Sequence, residues 1–80
     1  MKYFTIEIQT MEDGTTSSAI YDRGTELNDA VIANHTALAS MRTAVDAGTL
    51  KACTGLVMNE QGGVEVPREH YEKVATPVEP

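Results

Sequence analysis

Hydrophobic and polar positions recur at two different periods along the chain, and each change of period marks a new element. Over residues 3–10, Phe4, Ile6 and Ile8 share one side while Tyr3, Thr5, Glu7 and Gln9 share the other. That alternation predicts a strand with one buried face. Met11, Glu12, Asp13, Gly14 and Thr15 follow as a tight turn in which Gly14 supplies a positive φ. Residues 16–21 return as a second strand. A type I turn closed by a glycine bulge sets Ile20 opposite Ile6 on the buried face and turns Tyr21 outward. A two-residue turn slips the register by one and exchanges the faces. The bulged form is the expected one.

The period then becomes helical. Within residues 25–48, Leu27, Val31, Leu38, Met41 and Val45, with Ala30, Ala37 and Ala44 beside them, fall on one arc of roughly 140°, the width of a core-facing stripe. Thr25 or Asn28 is the candidate N-cap. Glu26 and Asp29 oppose the positive end of the helix dipole, and Gly48 suits the left-handed position just past the last turn. Two positions break the pattern: Ile32 lies on the polar side, and Asn34 lies in the middle of the apolar arc. A buried polar group needs a partner. Asn34 therefore bonds a buried backbone group, reaches water through a roll of the helix, or meets a ligand or a second subunit.

Residues 50–59 form a third strand. Its run Leu56, Val57, Met58 is apolar on both faces, as in a strand covered on both sides. Glu60 to Gly63 is a second turn, and Val64, Glu65 and Val66 are a short fourth strand that Pro67 ends, because proline cannot donate to a ladder. Residues 68–74 read as one helical turn or an ordered tail, and residues 75–80, with two prolines, as a frayed C-terminal tail. The expected architecture is a single α+β domain over residues 1–74. It runs β-hairpin, one long helix, β-hairpin (ββαββ), with an antiparallel sheet and the helix on one face. The other face is left open, and Tyr3, Thr5, Gln9 and Met11, with Tyr21 and Val57 or Met58, are expected on it. Tyrosine and methionine on an uncovered face suit a partner surface, which makes Tyr3, Met11 and Tyr21 candidate interface residues.

Composition sharpens that expectation. A chain of 80 residues buries only about 60% of its unfolded surface and is marginal without help. Its one cysteine, Cys53, excludes an internal disulfide, and Cys53, His35 and His70 lack zinc-site spacing. No metal or cofactor is expected, and oligomerisation is the support that remains. The net charge of −6, from 12 acidic and 6 basic residues, argues against a surface that tracks phosphates, so direct nucleic-acid binding is not expected. No signal peptide, transmembrane run or lipidation motif is present, and a soluble cytoplasmic protein is expected.

Catalytic constellations are missing from the pattern. Gly62 and Gly63 sit in a turn and do not open a helix, and no GxSxG, HExxH or paired-cysteine motif occurs. Cys53 with the distant His35 is a conceivable nucleophile and base, but a buried structural cysteine is the expectation in so small a chain. A binding protein is expected, not an enzyme. His35, Arg42 and Asp46 lie within about 40° of each other at the edge of the apolar stripe, with His35 and Arg42 two turns, roughly 10 Å, apart. With Asn34 they form a candidate strip for a small anionic ligand or a partner chain. The plain alternative is a solvated face with Arg42 and Asp46 paired at i, i+4. Arg68, His70 and Tyr71 form a second group, which either pins the tail to the sheet or contacts a ligand.

Several segments together resemble a known group: KYFTIEIQ at the start with DGT after it, NHTALASM in the helix, LVMNEQGG in the second hairpin and the late REHYE. The chain is similar over most of residues 2–72 to short proteins of unknown role encoded in prophages of gut-dwelling Firmicutes. That group has an aromatic residue just before the helix histidine, where this chain has Asn34. The resemblance implies a phage-derived accessory protein of the host cytoplasm and carries over no catalytic residue. Two roles are consistent with it. One is an oligomeric anti-defence module that sequesters a host small molecule, such as a signalling nucleotide, between subunits through His35, Arg42, Asn34 and tyrosines. The other is an acidic inhibitor of a basic host protein. A part in phage morphogenesis is a third.

Overall fold

The computed structural model describes residues 1–73, and the tail expected at residues 75–80 lies outside them. Five elements follow in order: β1 (Tyr3–Thr10), β2 (Thr16–Asp22), α1 (Leu27–Asp46), β3 (Ala52–Asn59) and β4 (Val64–Glu72). They form the expected ββαββ arrangement, one antiparallel sheet in the order β2-β1-β3-β4 with the helix on a sheet face. Strands β2 and β3 both run antiparallel to β1 on either side of it, so they are parallel to one another. Joining parallel strands takes a long crossover connection, and α1 supplies it. The helix packs on β3, β1 and β4 and leaves β2 uncovered.

The two hairpins use the same device. In the first, the Met11 amide donates to the Thr15 carbonyl (2.8 Å) and the Gly14 amide to the Met11 carbonyl (2.9 Å), with Gly14 at φ 90°. Ile6 stands opposite Ile20, the register of the bulged turn. Asp13 Oδ1 accepts from the Thr15 amide and hydroxyl, and those bonds hold its carboxyl below the ordinary aspartate range. In the second, Asn59 exchanges the same pair of backbone bonds with Gly62 and Gly63. Its side-chain oxygen accepts from the amides of Gln61 and Gly63.

The helix ends as expected and begins differently. Gly48 (φ 84°) donates to the Val45 carbonyl and Thr49 to the Ala44 carbonyl, the paired bonds that close a helix on a left-handed residue. At the start Glu26 holds the N-cap position without a side-chain cap bond, and Asn28 lies inside the first turn. Neither Thr25 nor Asn28 caps. The fourth strand also departs from expectation. It runs through Pro67 to Glu72, so residues 68–72 are strand and not a helical turn. Strand β4 is a sheet edge, and its pairing with β3 shifts register between Gly55 and Val57, where Pro67 sits. An edge with a bulge tolerates the missing N–H.

The largest correction concerns which face the helix covers. Ala30, Leu38, Met41 and Val45 of α1 are buried together with Leu50, Cys53 and Val57. On β1 the fully buried residue is Thr5, paired with Val57. The helix therefore lies on the side of Thr5, Glu7, Cys53, Gly55 and Val57, and the apolar side of β1 (Phe4, Ile6, Ile8) faces away from it. Gly55 shows why. A methyl group there would stand 2.9 Å from Asn34 Oδ1 and 2.9 Å from Leu38 Cγ, so the helix sits in the notch that this glycine leaves. The hydroxyl of Thr5, polar and buried, is satisfied by Arg23 Nε at 2.8 Å.

Gly55→Ala fills the notch and is expected to destabilise the fold by about 1–3 kcal/mol, the cost of an overpacked core position. Denaturant unfolding checks it; an unchanged midpoint would mean the helix is not seated on that glycine.

Candidate functional site

Three groups of side chains stand out, two on the helix side of the sheet and one on the open side. The first joins α1 to β4. Tyr71, opposite Cys53 in the ladder, donates its hydroxyl to Asp46 Oδ1 at 2.6 Å. The Arg42 guanidinium lies over the Tyr71 ring, 5.5 Å from its centroid, and its Nη2 reaches Glu69 Oε2 at 3.4 Å. The structure thus brings Arg42, Asp46 and Tyr71 together and adds Glu69, which the helical spacing alone could not reveal. Arg42 and Asp46 each take a partner on β4 and do not pair with one another. The bond to Asp46 favours the neutral phenol and, with the nearby carboxylate charge, raises the Tyr71 pKa above the ordinary tyrosine value.

The other expected members are placed elsewhere. His35 is exposed on the helix and forms no hydrogen bond or ion pair among the described residues. Arg68, exposed beside Pro67, falls with His70 on the opposite sheet face by strand alternation from Glu69 and Tyr71. His70 there holds Thr54, Nδ1 to Oγ1 at 2.8 Å. Asn34 is 3% exposed beneath the helix, and its Oδ1 has no partner among the described residues. It is a packed helix–sheet contact over Gly55, not part of an accessible strip. Cys53 is also buried there, and desolvation pushes its thiol pKa up, the opposite of what an activated nucleophile needs.

The second group was not legible in the sequence. Arg23, in the link after β2, donates Nε to Thr5 and Nη2 to Glu7 Oε2 (3.4 Å), and its guanidinium lies 4.8 Å from the centroid of the Tyr21 ring. Beside it a cleft of about 240 Å³ is lined by Glu7, Gln9, Ser17, Ser18, Ala19 and Tyr21. The cleft exists because the helix stops short of β2. Only the strand pairing brings Arg23 to Thr5 and Glu7, so no local motif announces it.

The third group is the open sheet face. Pairing sets its side chains in rows across the strands: Asp22, Phe4, Met58, Val64; then Ile20, Ile6, Leu56 and the Pro67 bulge; then Ser18, Ile8, Thr54, His70. Phe4, Ile6, Ile8, Leu56 and Met58 are half-buried by one another, while Ile20 is 68% and Val64 58% exposed. No helix or strand among the described residues packs over them. Tyr3, Met11 and Tyr21, expected on this face, are on the other side. Met11 packs against the core, Tyr21 pairs with Thr5 beneath Arg23, and Tyr3 shares the parity of Thr5. Comparison with protein-family models, curated proteins and solved structures finds no match. No helix among the described residues is long and apolar enough to cross a membrane.

Two outcomes test this geometry. In Asp46→Ala, the Tyr71 phenol loses its acceptor and its titration midpoint falls toward the ordinary value of about 10, read by absorbance or NMR. The sign follows from the raised folded-state value: the Tyr71–Asp46 bond stabilises below the unfolded tyrosine pKa and is lost as pH rises through the folded one. Asn34→Leu keeps the branching and heavy-atom count of the side chain, removes a buried oxygen that has no partner among the described residues, and is expected to raise stability by about 1–3 kcal/mol. A loss of stability would show that Asn34 has a bonding partner.

Proposed function

We propose that this chain is a non-enzymatic binding protein whose working surface is the open face of its sheet. The observation that carries the proposal is the collection of seven large apolar side chains (Phe4, Ile6, Ile8, Ile20, Leu56, Met58 and Val64) in adjoining rows with no layer over them among the described residues. Contiguous apolar surface of this kind marks an interaction site on a folded domain. The polar clusters support binding over turnover. Arg42, Glu69, Asp46 and Tyr71 are bonded to one another, as are Arg23, Thr5 and Glu7, and Cys53 is buried with a raised pKa. We place the protein with phage-type accessory proteins that act in the host cytoplasm by holding a partner.

A second reading is capture of a small molecule on the helix side, favoured by the cleft where Arg23 lies over Tyr21. Its volume of about 240 Å³ is below the roughly 300–1,000 Å³ of ordinary ligand pockets. It also opens away from the apolar face, so copies stacked on that face do not enlarge it. A signalling nucleotide held between subunits is for that reason the weaker form. An acidic inhibitor of a basic protein is favoured by a different observation: Lys2, Arg23 and Arg42 already have acidic neighbours, while Glu12, Asp13, Glu26, Asp29 and Glu65 are exposed and outside those ion pairs.

Native mass spectrometry on gently purified protein from the producing cell tests the main proposal. Wild type is expected to emerge with a second chain bound, and Ile6→Glu, folded by circular dichroism, as a single chain. Wild type emerging bare and binding no apolar dye on its open face would sink it.

A further inference from the structure

We infer that the occupant of the open face is a second copy of this chain, stacked face to face as a two-sheet sandwich with the helices outside; this rests on that face being the working surface. Side-chain size is the first reason. All three isoleucines of the sheet, Ile6, Ile8 and Ile20, and the only phenylalanine, Phe4, lie on the open face. The helix-side core is built from alanine, valine, leucine, methionine and cysteine. The chain thus places its bulkiest wholly apolar strand side chains outside its own core, while the tyrosines of the strands stand on the helix side. Strand β3, apolar on both faces, is covered by a helix on one only among the described residues. A second sheet completes the layer that β3 lacks, at the spacing of about 10 Å at which sheets stack.

Area is the second reason. Four strands about 4.8 Å apart, each about eight residues long at roughly 3.3 Å per residue, make a face on the order of 500 Å² in projection. Side chains standing on a sheet give an accessible surface larger than its projection. A stable interface takes roughly 800 Å² from each partner. The whole face is therefore what a dimer of this chain requires, and a contact on one corner falls short.

Charge distribution is the third. The central rows hold no charged side chain on β1 or β3. The charged groups sit on the outer strands, with Asp22 at one end of β2 beside Lys2 (3.9 Å) and Glu72 at the other end of β4 beside His70 (3.9 Å). A two-fold axis parallel to the strands, between β1 and β3, lays the β1 rows over the β3 rows and the β2 edge over the β4 edge. Row for row, the position of Asp22 then meets that of Val64, Ile20 the bulge at Pro67 and Arg68, Ser18 that of His70, and Thr16 that of Glu72. No carboxylate meets a carboxylate, although each copy carries a net charge of −6. Such self-complementarity is what an isologous interface demands.

The test is light scattering after size exclusion on the purified full chain, together with binding of an apolar fluorescent dye. Wild type is expected at twice the chain mass with little dye bound. Ile6→Glu and Ile20→Glu are expected to raise the dimer dissociation constant about a hundredfold, as charge placed in a dry contact does. Ile20 is already mostly exposed in the single chain, so its substitution does not disturb the core. Ile32→Glu, on the outer face of the helix and 60% exposed, leaves the dimer intact. A dimer that survives both open-face substitutions joins through another surface and overturns the inference. A monomeric wild type that binds the dye, and loses that binding in Ile6→Glu, overturns the second copy as occupant but leaves the face as a site for another protein. A monomer that binds none overturns both.

Discussion

The seat of the helix on Gly55 is the contact on which the rest depends. With no side chain at that position, Asn34 and Leu38 descend onto the backbone of β3, and α1 centres over β3 with β1 and β4 at its flanks. From that placement follow the burial of Cys53 and Val57 and the contact of Tyr71 with Asp46. The uncovered strip along β2, where the Arg23 cleft lies, follows from it as well. Placing the helix on this face also leaves the isoleucines of the sheet on the other. The close approach has a local cost, the buried Asn34 oxygen without a partner among the described residues. An unmade bond of this kind costs about 1–3 kcal/mol, a large share of what so small a domain has to spare.

Electrostatics is arranged around short cross-element bonds and not around an open charged site. Arg42 spans helix to strand, Arg23 spans link to strand, and each also lies over a tyrosine ring. Exposed ion pairs contribute little individually. The Arg23 pair is more sheltered, with a Glu7 side chain 14% exposed, and it satisfies a buried threonine as well. These groups therefore serve to hold the uncovered β2 hairpin and the outer edge of β4 against the layer between them. The broad surface outside these bonded groups is the apolar face of the sheet.

Element types were largely legible from the chain alone. The period-two run of β1, the helical stripe ending at Gly48 and the turn glycines Gly14 and Gly62 depend on local sterics and on patterns a few residues long. The bulged turn even set the Ile6–Ile20 register. The candidate site was legible only in part. Arg42 and Asp46 share a helix edge by periodicity, but Glu69 and Arg23 join their clusters through side-chain bonds between elements, over separations of 27 and 16 residues. Pro67 misled because the rule that proline ends a strand holds inside a sheet, and β4 is an edge.

What the sequence determined by itself was that β1 has two chemically different faces, that one long amphipathic helix divides two hairpins, and that the two hairpins and helix make one layer on another. What only the tertiary structure decided was the strand order and the face on which the helix lies. Alternation distinguishes the faces of a strand but does not say which one a distant helix will cover. Here the notch at Gly55 decided for the face that carries Thr5 and Val57, against the more apolar face of β1. Side-chain fit between elements far apart in the chain outweighed hydrophobicity counted along one strand, because close packing is judged where the elements meet.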